Sequence, residues 1–270
     1  MTSSPSKQPF VDPYIDPATG ILFNLVGATT QQQLESAEYR YTWTRRQELA
    51  TDPVAGNYDL AHLQETHRRL FQDVYTWAGQ LRIVDISKNG SAFHPITMIS
   101  EAADYTFGYV HESSLLSSDI SDATFIEQAS ELLSRINYIH PFREGNGRAQ
   151  RAFIDQIAAI SHRFLSWRNV SKEENTRASI ESFDQASGQP FRALLGKALK
   201  PPRDGFGVLD DNLYKTSAPL LPPSAVHDGA HPYAPPVIPE LTSKSFCGSI
   251  TLKGQPCMRR GHCPYHGGAR

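Results

Sequence analysis

The run His140-Pro141-Phe142-Arg143-Glu144-Gly145-Asn146-Gly147-Arg148-Ala149-Gln150-Arg151 decides how this chain is read. His140 carries an imidazole that ordinarily titrates near neutrality and can take a proton from an attacking alcohol. Glu144 is a hard oxygen ligand of the kind that holds Mg²⁺ together with phosphate oxygens. Gly145 and Gly147 flank Asn146 and open backbone angles closed to other residues, so successive N–H groups can line an anion-holding concavity. Behind the turn, Arg148 to Ile160 reads as a helix with an Ala/Ile/Phe stripe. Arg148 and Arg151 are three residues apart on one face, in what reads as the first turn, where cations oppose the helix dipole unless an anion sits with them. Their forks suit phosphate oxygens.

A lone Gly-x-Gly is weak by itself, and no strand followed by Gly-x-Gly-x-x-Gly precedes it, which excludes a dinucleotide turn of that kind. The whole run is another matter. A proton acceptor, a hard carboxylate, an anion-holding turn and two guanidinium groups are what moving a phosphorylated group onto a hydroxyl requires.

The run matches His-x-Phe-x-(Asp/Glu)-Gly-Asn-Gly-Arg-x-x-Arg at every position and resembles the signature of the Fic (filamentation induced by cAMP) family. Upstream, Leu70-Phe71-Gln72-Asp73-Val74-Tyr75-Thr76-Trp77-Ala78-Gly79-Gln80-Leu81-Arg82 resembles the helix and turn ahead of that family's substrate-binding flap. The opening Asp12 to Leu25 is similar to bacterial toxin-type members. The resemblance covers roughly residues 10–200 and implies a mainly helical, all-α fold with a small β-hairpin flap.

It also implies an activity: transfer of AMP from ATP to a Tyr, Ser or Thr hydroxyl of a target protein, with release of pyrophosphate. By resemblance His140 is the general base and Glu144 holds Mg²⁺ between the α- and β-phosphates. Gly145, Asn146 and Gly147 form the anion hole, with Asn146 near the α-phosphate. Arg148 and Arg151 hold the β- and γ-phosphates. Phe142 packs beneath the loop and does no chemistry.

Ile83 to Pro95 carries β-branched residues into Asn89-Gly90, a two-residue hairpin signal. From the residues alone this is an ordinary surface hairpin. By resemblance it is the flap that aligns the target's backbone by strand pairing, with Lys88 and Phe93 touching the target segment. His94 reads as a turn residue, not a second base.

Asp59 opens a helix carrying Leu60, Leu63, His67, Leu70, Phe71 and Val74 at three- and four-residue intervals. Asp122 opens another that runs through Phe125, Ala129, Leu132, Leu133 and Ile136 to about Tyr138 and delivers His140 to the loop. His67 shares the apolar stripe and reads as a hydrogen-bonded core histidine.

A net charge of −2 gives no electrostatic case for nucleic acid or an anionic membrane. No apolar run approaches ~20 residues and no basic-then-apolar leader opens the chain, so a cytoplasmic protein is expected. Residues 1–9 read as a disordered leader and 10–200 as the catalytic domain. Nine prolines fall between Pro201 and Pro239, so 201–243 reads as a flexible, extended linker.

Residues 244–270 hold all three cysteines, Cys247, Cys257 and Cys263, with His266 following. Three thiolates and an imidazole make a closed tetrahedral zinc set. The odd cysteine count argues against a disulfide framework. The alternative is a disordered tail with reactive thiols, and His262 is a poorer fourth ligand.

Many Fic enzymes carry an inhibitory helix with (Ser/Thr)-x-x-x-Glu-(Gly/Asn), whose glutamate pairs with the second motif arginine, here Arg151. Only Glu144-Gly145 and Glu174-Asn175 end that way, and His140 and Val170 occupy the Ser/Thr position. The resemblance therefore implies a separate small antitoxin that supplies the helix. Similar toxins act on the ATPase subunits of type II topoisomerases. Alternatives within the fold are phosphate transfer, for which members replace the second motif glycine (Gly147 here) by lysine, and phosphocholine transfer from CDP-choline. A third class is a non-catalytic adaptor.

Overall fold

The computed structural model describes residues 11–88 and 90–200. The leader, the linker and the zinc set Cys247, Cys257, Cys263 and His266 lie outside the described residues. Within them the chain is helical, as the apolar periodicities require. The helices are α1 (Gln31–Thr51), α2 (Leu60–Phe71), α3 (Ile99–Glu112), α4 (Asp122–Ile139), α5 (Asn146–Ile160), α6 (Lys172–Gln185) and α7 (Gln189–Ala198). Two short antiparallel pairs accompany them: β1 (Ser87–Lys88) with β2 (Ser91–Ala92), and β3 (Phe164–Leu165) with β4 (Leu199–Lys200). None of these helices is long and apolar enough to cross a membrane.

Helix starts follow local chemistry. Asp59 caps α2 by accepting from the His62 N–H at 2.9 Å, and Ser121 caps α4 through the Thr124 N–H at 3.0 Å. Ser171 and Glu174 form a reciprocal capping box at the start of α6. That is the role of Glu174, whose neighbour Asn175 mimics the end of the inhibitory signature. Two expected boundaries move. α2 ends at Phe71, and Val74 lies beyond it yet fully buried, its carbonyl accepting from the Leu25 N–H at 2.8 Å. α5 begins at Asn146, not Arg148, because Gly145 takes the cap position with φ +83°. Arg148 is therefore in the first turn and Arg151 in the second.

The core is the meeting of α2, α4 and α5. Leu63, Leu70 and Phe71 from α2 are buried with Phe125, Leu132 and Ile136 from α4 and Phe153 and Ile157 from α5. Each such side chain contributes about 1.5–3 kcal/mol on burial. The end of α4 and the start of α5 are anchored in that core, which fixes the loop between them at both ends.

Candidate active site

α4 stops at His140, which adopts φ +47° and ψ +62°, a left-handed conformation in which histidine is among the enriched non-glycine residues. The chain then turns through Pro141 to Gly145 and enters α5. Asn146 staples this loop: its Oδ1 accepts from the Phe142 N–H at 2.9 Å, and its Nδ2 donates to the Phe142 carbonyl at 2.8 Å. Phe142, 1% exposed, lies against the His67 ring at 3.9 Å between centroids. Its expected place under the loop is the observed one.

His67 holds the loop from below. Its Nε2 donates to the Glu144 carbonyl at 3.0 Å and its Nδ1 accepts from the Gly79 N–H at 2.8 Å, which fixes a neutral tautomer. Burial drives its pKa down to about 3, and the nearby Arg148 charge adds to this. It is a core histidine, as its place in the apolar stripe indicates.

Arg82 ties the hairpin to the loop. Its side chain has no exposure. Nε donates to the His140 carbonyl at 2.8 Å, Nη1 to Val84 at 3.0 Å, and Nη2 to Ile139 at 3.3 Å and to the carbonyl of His94. The last carbonyls of α4 thus gain a cation, which the helix dipole favours. His94 is half-buried and lies off the cavity wall, consistent with a turn residue.

A cavity of about 570 Å³ opens above the loop. His140, Glu144, Gly145, Asn146 and Gly147 form one side of its wall, Lys88 and Phe93 of the hairpin another, and Ser179 and Phe183 of α6 a third. Arg148 and Arg151 are not part of that wall. Arg151 is buried beside Gly147, and Arg148 turns toward α1, where its Nη2 lies 2.7 Å from Glu38. The Tyr75 hydroxyl donates to the other Glu38 oxygen, and the Arg148 guanidinium lies 4.7 Å over the Phe71 ring.

The candidate groups His140 and Glu144 are partly set by their contacts. His140 Nδ1 lies 3.3 Å from the Asn137 carbonyl, which can only accept, so Nδ1 carries the proton and Nε2 keeps its lone pair. Phe93 stacks on the imidazole at 3.8 Å. The near-neutral titration expected of His140 is not what the fold gives it. Burial pushes it down to about 3, with the Lys88 and Arg82 charges acting the same way and the Asn137 carbonyl opposing. The ring is a neutral acceptor throughout the physiological range.

Glu144 Oε1 accepts from the Gly145 N–H at 2.9 Å and lies 3.4 Å from Arg148, and the side chain is 45% exposed. No group of three or more His, Cys, Asp or Glu side chains able to hold a metal occurs among the described residues. One carboxylate at a cavity wall fits Mg²⁺, which is held by one or two carboxylates and completed by substrate phosphates and water. α5 has no side-chain cap and no acidic residue in its first turn, leaving a positive helix end beside the cavity.

Sequence reasoning missed Glu38, Tyr75, Asn137, Gln150 and the α6 face. Gln150 lies within the motif and Tyr75 just after the α2 stripe, and neither residue type carries a signal there. Asn137 is three residues before His140 and carries no signal of its own, while Glu38 and the α6 face are distant along the chain.

Residues 57–158 match the model of the Fic/DOC family. The protein adenylyltransferase VbhT of Bartonella schoenbuchensis is 42% identical over 173 residues, which are 64% of this chain and 36% of VbhT. The chain thus spans about a third of that relative's length. The probable protein adenylyltransferase Fic of Escherichia coli is 35% identical over 168 residues, 62% of this chain and 82% of that protein. Among solved structures, the N-terminal Fic domain of a Bep effector from Bartonella sp. AR 15-3 superposes with a TM-score of 0.65 at 26% identity, covering 70% of this chain and 91% of that one.

Proposed function

The chain belongs to the Fic/DOC family, and on that premise we propose that it is a protein adenylyltransferase, moving AMP from ATP to a Tyr, Ser or Thr hydroxyl of a protein target. The curated names of its relatives support the activity. The observation that carries the reading is the pairing of His140 Nδ1 with the Asn137 carbonyl, which leaves Nε2 as a bare base in a wall shared with the uncapped start of α5.

In this reading the target hydroxyl gives its proton to His140 Nε2 as its oxygen bonds to the α-phosphorus. The bond to the β-phosphate oxygen breaks and pyrophosphate leaves. Charge grows on the non-bridging and leaving oxygens, so the N–H groups of Asn146 and Gly147, in the turn that Gly145 shapes, supply most of the acceleration. A base adds about 10²–10⁴-fold. The side chain of Asn146 acts through the loop it staples. Arg148 and Arg151 serve the leaving phosphates from positions behind the cavity wall. Glu144 would hold Mg²⁺, which when bound neutralises phosphate charge. Lys88 and Phe93 flank the cavity on the hairpin side, where a target strand would lie.

The finer parts of the proposal are these. A separate small antitoxin supplies the inhibitory helix that the chain's own sequence lacks, as in a toxin–antitoxin pair, and the target is cytoplasmic, with the ATPase subunits of type II topoisomerases as first candidates. Cys247, Cys257, Cys263 and His266 form a structural zinc module, a donor set that closes a tetrahedron. Metal analysis of the purified chain tests this last point. Co-purification with a neighbouring small helical protein tests the antitoxin.

The deciding experiment incubates wild type and His140→Ala with α-labelled ATP, Mg²⁺ and lysate. A labelled band that requires His140, with the mass shift of AMP, supports the reaction and identifies the target. No label, or a shift of phosphate or phosphocholine, overturns it.

A further inference from the structure

Gln150 carries a buried carboxamide whose nitrogen has no partner in the protein. The residue is 5% exposed, its Nε2 reaches no acceptor, and it contributes to the wall of the cavity that holds His140 and Gly147. Buried amides are almost always hydrogen-bonded, so an orphan at a cavity wall marks a place where a bound molecule completes the site. The neighbouring amides are already used. Asn146 is closed at both ends on the Phe142 backbone, and Asn137 Nδ2 donates to the Ser179 carbonyl at 2.9 Å.

Position defines the ligand chemistry. Gln150 stands one helical turn beyond Asn146 and three residues beyond Gly147, so it is on the phosphate-loop side of the cavity. The residue lies close to the positive end of α5, where anionic oxygens are favoured. The terminal torsion of glutamine is soft, so either edge of the amide can be presented by a small turn.

We propose that Gln150 is a further nucleotide-contacting residue, its amide donating to a phosphoryl oxygen next to the group that is transferred. The proposal rests on the adenylyltransferase reading and adds to it a donor at a position that the motif leaves open. It also predicts a trade between function and stability. The orphan burdens the empty protein, and its removal relieves that burden while weakening the ligand.

The test is calorimetric titration of the full chain with Mg·AMPPNP, alongside the melting temperature without nucleotide, for wild type, Gln150→Met and Gln150→Glu. Gln150→Met is expected to melt about 2–4 °C higher and to bind about tenfold more weakly, the loss of one charge-assisted hydrogen bond. Gln150→Glu places a carboxylate against phosphate and is expected to bind at least as weakly as Gln150→Met. A Gln150→Met protein that binds as wild type does, or that melts lower and binds weaker together, overturns the proposal. The first result means that water alone satisfies the amide, the second that its role is packing. Wild type that fails to bind Mg·AMPPNP sinks the nucleotide reading itself. Wild type that binds beside an unaffected Gln150→Met and Gln150→Glu sinks only this inference.

Discussion

Arg148 and Glu38 form an ion pair across 110 residues of sequence, Nη2 to Oε2 at 2.7 Å, that joins the first turn of α5 to the middle of α1. A cation at a helix N-terminus opposes the dipole, and burial also works against its charge. Glu38, Glu144 and Tyr75 outweigh that, leaving the Arg148 pKa raised. Glu38 is 7% exposed and its second oxygen is taken by Tyr75, so the pair is a fixed part of the interior.

Removing one partner of such a pair leaves the other charge buried. Glu38→Ala is expected to lower stability by about 3 kcal/mol, read from the denaturant midpoint. Glu38→Gln keeps an acceptor for Tyr75 and should cost clearly less. Equal midpoints for Glu38→Ala and wild type would mean that the pair contributes nothing net.

Gly145 and Gly147 look alike in the motif and are not alike in the structure. Gly145 has φ +83°, and a Cβ there would lie 2.3 Å from the Phe71 Cζ atom. Gly147 has ordinary helical space, its nearest neighbour being Arg151 Nη1 at 3.5 Å. Gly145→Ala should therefore displace the loop, and a displacement of about 1 Å costs on the order of 10²-fold in labelling rate. Its midpoint should fall as well. Gly147→Ala should leave the midpoint unchanged or raise it by up to about 1 kcal/mol, since alanine is the better helix residue.

Arg82 donates to four carbonyls from a planar fork, two on the hairpin side and two at the end of α4. Lysine brings one charge and three donors at a single point and cannot span them. Arg82→Lys is expected to reduce label transfer about tenfold or more, through misplacement of His140. Amide hydrogen exchange in residues 83–95 should speed up in the same variant. Unchanged exchange there would show that the hairpin does not depend on Arg82.

The run from His140 to Arg151 is legible because its residue types are local. Histidine, carboxylate, glycine turn and arginines lie within twelve residues, and the helices on either side show their apolar period without help from the rest of the chain. Phe142, His67 and the hairpin at Gly90 could be placed for the same reason. Glu38 could not, because nothing on an N-terminal helix marks which distant cation it meets. The direction of Arg148 away from the cavity follows from that pairing and was equally hidden. The depressed pKa of His140 arises from burial and from the charges of Lys88 and Arg82, which only tertiary packing brings near it. Gln150 carries no sequence signal because its position in the signature is open, and its orphaned nitrogen exists only once the helix is packed.

Acid should test the support under the loop. Burial lowers the His67 pKa to about 3 against an ordinary value near 6.5, does the same to His140, and also lowers those of His62 and His94. A depressed folded-state pKa means that the unfolded chain binds the proton first. The stability held by the neutral His67 ring is complete above about pH 6.5 and drains as the pH falls from there toward 3. His67 contributes a slope of up to about 1.4 kcal/mol per pH unit in that window, and His62 adds a slope of the same sign. Denaturant midpoints between pH 4 and 8 should follow this course in wild type. His67→Gln retains a donor and an acceptor for Glu144 and Gly79 but has no proton to gain, so its slope should be shallower by about one proton. A His67→Gln profile parallel to that of wild type would mean that the ring charges in place, which its bonds to the Gly79 N–H and the Glu144 carbonyl do not allow without breaking the first of them.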